Sequence, residues 1–75
     1  MNRNATPAEK IVHGVFAGVR RTARAIGKSP STVSRWLMAP PDGTGGEIPR
    51  WNHDAIVEAA RREGWRAADI RAMLR

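Results

Sequence analysis

Proline, glycine and small capping residues punctuate this chain at Thr6-Pro7, Gly18, Gly27, Ser29-Pro30, Pro40-Pro41, Pro49 and Gly64. The intervals hold short helices and leave little room for anything else. Thr6 is a capping residue, Pro7 suits the first helical position, and Glu9 completes a capping box. Ile11, Val12, Val15, Phe16 and Val19 then follow at helical spacing, and Gly18 is expected to end this first helix. A second helix should run from about Val19 to Ile26, with Ala23 and Ile26 inward and Arg20, Arg21 and Arg24 outward. Gly27 stops it, because glycine accepts the left-handed conformation that helix ends favour.

The next segment reads Ser29-Pro30-Ser31-Thr32-Val33-Ser34-Arg35-Trp36. Ser29 serves as N-cap and Pro30 as the first helical residue. This third helix should reach about Met38, burying Val33, Trp36 and Leu37 before Pro40-Pro41 ends it. Pro49 opens a fourth helix, roughly Arg50 to Glu63, with the apolar stripe Trp51, Ala55, Ile56, Ala59 and Ala60 and with Gly64 at its end. A last helix, about Ala67 to Leu74, offers Ile70, Met73 and Leu74, with Trp65 in the corner before it. No strand pattern is present. The expected fold is all-α, four to five short helices in a single domain, with residues 1–5 disordered, 39–48 a loop and 66–75 the C-terminal helix.

Charge is segregated along this frame. The net charge is +6, and residues 1–41 carry seven basic residues against Glu9 alone. Residues 42–75 carry six of each sign, so the excess lies wholly in the first part. A segregated positive field calls for a polyanionic partner. Cysteine is absent, which excludes a disulfide scaffold and thiolate metal sites and fits a reducing, cytoplasmic location. The N-terminus lacks the apolar stretch of a secretory signal, and no apolar run is long enough to span a membrane.

Ala23, Gly27, Val33 and Trp36 have the spacing of two helices crossing over a tight turn. A small residue sits at the crossing, a glycine in the turn, and a buried anchor pair on the second helix. With this pattern, residues 19–37 resemble the helix-turn-helix of bacterial and phage repressors, a lambda-repressor-like DNA-binding domain. The piece from Ser29 to Arg35 is similar to the recognition helix of lac-repressor-type proteins. The short length, the five-helix layout and Gly46-Glu47-Ile48-Pro49 before the fourth helix look more like small phage Cro or repressor proteins and Cro-like antitoxins. Two positions depart from the pattern. Lys28 stands where the family has an apolar residue, and Val19-Arg20-Arg21 stand where a phosphate-bracing glutamine is usual.

The resemblance implies that the third helix enters the major groove. Pro30, Ser31 and Arg35 then match base-reading positions, and Ser29, Thr32 and Ser34 match positions that touch phosphate or sugar. Arg35 is the principal candidate, since one guanidinium bonds guanine O6 and N7 together. The residues support this without the family: Ser31, Ser34, Arg35 and Met38 share one face opposite Val33 and Trp36. Arg20, Arg21, Arg24 and Lys28 flank that face as phosphate contacts.

Other chemistries fit poorly. A phosphate-binding loop needs Lys-Ser/Thr after its last glycine, whereas Glu47 follows Gly46, so "PPDGTGGEI" reads as a connector. His13 and His53 lack the spacing of metal ligands. No catalytic constellation or cofactor motif is evident, and an enzyme is not expected. Arg61, Arg62 and Arg66 read as a solvated face paired with Glu58, Glu63 and Asp69. Trp36 is read as core. Trp51 and Trp65 are read as packing residues, one of them available to a dimer interface. The leading expectation is a sequence-specific regulator of double-stranded DNA, a repressor, acting as a homodimer on a near-palindromic operator. The dimer contact is expected at Trp65, Ile70, Met73 and Leu74. The alternatives are a Cro-like antitoxin or adaptor whose main partner is a protein and, last, a peripheral membrane binder.

Overall fold

The first turn forms where the capping box predicts it. In the computed structural model of the chain, which describes residues 5–75, the Thr6 N–H donates to Glu9 Oε1 at 2.9 Å and the Glu9 N–H to Thr6 Oγ1 at 3.1 Å. Helix α1 (Pro7–Glu9) continues directly into a π-helical stretch, Lys10–Val15. The wider winding is carried by bonds such as Phe16 N–H to the Ile11 carbonyl, 3.1 Å. The expectation of disorder at the start of the chain falls, apart from Ala5, outside the described residues.

The helical segment ends at Val15, short of the expected Gly18. Ala17 makes the reversal, with φ +64°. Gly18 instead caps α2 (Val19–Ile26). Its carbonyl receives the Thr22 N–H at 3.0 Å and the Thr22 hydroxyl at 2.7 Å, so the fully buried Thr22 is satisfied locally. Helices α3 (Pro30–Leu37), α4 (His53–Arg62) and α5 (Ala67–Leu74) follow, with a 3-10 turn at Arg50–Asn52 leading into α4. Among the described residues there is no strand, so the all-α expectation holds.

Helix α2 packs on α3 and α4, and α5 packs on α4 and the π-helical stretch. One buried cluster holds Ile11, Val12, Ala23, Val33, Trp36, Ile56 and Ile70. Ile26 and Leu37, expected inward, lie half-buried at its margin.

One expectation for the second part of the chain fails. Trp51 is 81% exposed and Ala55 is exposed, whereas Asn52 is 4% exposed and buried with Ile56, Ala59 and Ala60. The inward stripe therefore starts one residue later than hydrophobicity alone indicates. The cause is helical spacing: Asn52, Ile56, Ala59 and Ala60 lie at i, i+4, i+7 and i+8 on one face, and Trp51 and Ala55 lie together on another. In addition, Ile70 and Leu74 are buried and Trp65 and Met73 pack beside them. Of the side chains expected at a dimer contact, Ile70 and Leu74 thus belong to the monomer's own core, while Trp65 and Met73 remain half-exposed.

Candidate nucleic-acid interface

The α2–α3 junction is built from two capping devices joined back to back. At the end of α2, Gly27 has φ +72°, and its N–H reaches the Arg24 carbonyl at 3.4 Å. The Lys28 N–H donates to the Ala23 carbonyl at 2.9 Å. This is the Schellman pattern, which satisfies the last carbonyls of a helix and turns the chain sharply. An L side chain at position 27 would be strained in that conformation. The residue after such a turn is often apolar and packs back on the helix. Here it is Lys28, exposed, so a cation occupies the outer edge of the turn.

Ser29 then caps α3. Its hydroxyl accepts the Thr32 N–H at 3.3 Å and lies 3.0 Å from Thr32 Oγ1. Both hydroxyls are thus oriented within the first turn of the helix. Ala23, Val33 and Trp36 lie in the common core, which holds the inner side of α3 against α2.

The far end of α3 is fixed by the glycine-containing loop, a role the sequence did not disclose. The Thr44 N–H donates to the Arg35 carbonyl at 3.0 Å, and the Gly45 N–H to the Met38 carbonyl at 2.8 Å. Thr44 Oγ1 donates to the Trp36 carbonyl at 3.2 Å. Gly43 makes this possible, since a Cβ there would overlap the Arg35 carbonyl and Met38 Cβ. The loop also holds the start of α1, because the Gly46 carbonyl accepts the Ala8 N–H at 2.9 Å. The only advance indication was negative: Glu47 made phosphate binding by this loop unfavourable. What the loop does instead depends on folding back over α3.

The candidate site residues fall on the two joined helices and their turn. Arg20, Arg21, Arg24, Lys28, Ser29, Pro30, Ser31 and Arg35 are exposed, and Thr32 and Ser34 are partly exposed. Arg20, Arg21, Arg24, Lys28 and Arg35 form no ion pair with any described acid. One neighbour was invisible in the sequence. Glu63, at the end of α4, shares a shallow groove with Phe16, Arg21, Arg24 and Ala25. Arg62 beside it donates to the Ala25 carbonyl at 3.4 Å. The positive face is therefore bounded on its α4 side by one carboxylate.

The second part of the chain is mixed: two guanidinium groups are paired, and Arg50, Arg62, Arg66 and Arg75 are in no ion pair among the described residues. Arg61 meets Glu58 at 3.3 Å and Arg71 meets Asp54 at 3.4 Å. His53 Nε2 lies 2.8 Å from the Ile48 carbonyl, so its ring is held by the loop. Among the described residues no three potential metal ligands cluster. No helix of the described residues is long and apolar enough to cross a membrane. No model of a known protein family, no curated protein and no solved structure matches the chain.

Proposed function

We propose that this chain is a sequence-specific regulator that binds double-stranded DNA, a repressor that inserts α3 into the major groove and acts as a homodimer. The observation that carries the reading is the outer face of α3. Ser31, Ser34 and Arg35 are at least partly exposed on a helix held at both ends, beside cations that form no ion pair among the described residues. Rigid placement matters because base reading depends on the position and angle of a few side chains. Arg35 reads a guanine, Ser31 and Pro30 meet neighbouring base edges, and the hydroxyls of Ser29, Thr32 and Ser34 approach the backbone. Arg20, Arg21, Arg24 and Lys28 bind phosphates. A regulator of this kind works in the cytoplasm, where the DNA is.

The test is selection of bound duplexes from a random pool, followed by Arg35→Ala on the selected site. The substitution is expected to cost about 1–3 kcal/mol of binding and to relax preference at one base pair. Equal affinity for random and selected duplexes at about 0.15 M salt would reject the reading. It would favour instead an antitoxin or adaptor whose main partner is a protein.

A further inference from the structure

Two exposed stripes remain on the second part of the chain, each at the i, i+3, i+4, i+7 spacing of one helix face. The first, on the 3-10 turn and α4, is Trp51, Asp54, Ala55 and Glu58. The second, along α5, is Ala68, Arg71, Ala72 and Arg75. The 3.4 Å contact between Arg71 Nη2 and Asp54 Oδ1 joins them into one surface.

Three properties of this surface point the same way. Trp51 is 81% exposed in a chain that buries Trp36 almost completely. A large ring left in water, on a turn that orients it outward, is the residue type that anchors interfaces. The two stripes carry opposite charges, Asp54 and Glu58 on one and Arg71 and Arg75 on the other, although Glu58 also meets Arg61 at 3.3 Å with both side chains more than half exposed. The existing Asp54–Arg71 pair is loose, with the Asp54 side chain 92% exposed, so both groups are open to exchange partners.

We infer that this face is the homodimer interface. A two-fold rotation sets the α4 stripe of one copy on the α5 stripe of the other. Acids then meet arginines twice, and each Trp51 is covered, as an isologous contact requires. The surface lies on elements other than α2 and α3, so both reading faces stay free. The inference rests on the functional reading above for the expectation of a dimer, but association needs no DNA.

The test is sedimentation of the full chain without DNA, from micromolar to submillimolar concentration. Wild type is expected to dimerise, and Trp51→Ala to raise the dimer Kd about 30-fold or more. The double variants Arg71→Glu/Arg75→Glu and Asp54→Arg/Glu58→Arg should each be monomeric. Their equimolar mixture should form a one-to-one heterodimer, because both contacts are then complementary again. Thermal melts by circular dichroism check that each variant is folded, and Trp51→Ala, at an exposed site, carries the test if a charge variant is not. A wild type that stays monomeric, a dimer indifferent to Trp51→Ala, or charge variants that do not recombine would overturn the inference. So would a monomer whose Trp51 fluorescence responds to inorganic phosphate, since Arg50, His53, Arg71 and Arg75 line one shallow cavity beside this face. Failure of DNA binding by an intact dimer would reject the functional reading and leave this interface standing.

Discussion

The α2–α3 region and the α4–α5 region carry similar numbers of arginines and use them in different ways. On α2 and α3 the guanidinium groups of Arg20, Arg21, Arg24 and Arg35 form no ion pair among the described residues. On α4 and α5, Arg61 and Arg71 meet Glu58 and Asp54. Counting basic residues does not separate the two surfaces; the acids do, since α2 and α3 carry none and two of the arginines on α4 and α5 are paired. A cation with a carboxylate beside it presents less net positive charge to a phosphate, so it contributes less to counterion release. The same contrast applies to tryptophan. Trp36 is 2% exposed and locks α3 to the core, while Trp51 is 81% exposed and contributes little to the folded monomer.

That tryptophan contrast gives the largest expected effect. Trp36→Ala should destabilise the fold by about 3–5 kcal/mol, a large share of the total for so small a domain. Trp51→Ala should shift monomer stability by no more than about 0.5 kcal/mol. Chemical denaturation at a concentration where the chain is monomeric checks both. Similar losses for the two variants would dissolve the distinction.

Next in size is the loop that ends α3. Gly43→Ala should cost about 1–3 kcal/mol, because the new methyl group meets backbone and cannot be accommodated without displacing the cap. Amide exchange should show faster opening of Thr44 and Gly45, whose N–H groups bond to α3 carbonyls. Unchanged protection there would mean that the loop does not hold the helix.

A smaller effect tests the charge contrast directly. If about five cations on the α2–α3 face neutralise phosphates, the log–log salt slope of DNA binding is roughly −4 to −5 per subunit. Arg24→Ala should flatten it by about 0.9 and weaken all sequences alike. Arg61→Ala, on the paired surface, should leave the slope unchanged. Equal slopes for both variants would show that pairing does not divide the two regions.

The smallest effect concerns the bend before α2. Ala17 holds a left-handed conformation that glycine adopts at less cost, so Ala17→Gly should stabilise the fold by about 0.5–1 kcal/mol. A thermal melt reads this, and a lower melting temperature would show that the strain is relieved elsewhere.

Much of the frame was readable before folding. The Thr6–Glu9 capping box, the Gly27 stop, the Ser29 cap with Pro30 after it, and the α5 limits all stand where local chemistry puts them. Each depends on neighbours within about one helical turn. The candidate DNA-reading residues were also legible as an exposed face, because their surroundings are set by α2, α3 and the turn between them. The misplaced features depended on longer reach. Gly18 was expected to end the first helix, but a π-helical stretch moved the bend to Ala17. Trp51 was expected inside, but the core takes the face of Ile56, Ala59 and Ala60, which Asn52 shares and Trp51 does not.

The sequence alone determined where α2 and α5 start and stop, where α3 starts, and which side of α3 is polar. Those properties follow from capping, backbone preference and periodicity, which act over a few residues. Only the tertiary structure decided that the glycine-containing loop caps α3, that Glu63 borders the positive face, and that Trp51 stays in water. Each of these joins segments separated along the chain or depends on the phase of a helix against its neighbours. Hydrophobicity ranks side chains for burial, but core volume and helix phase decide which of them fit.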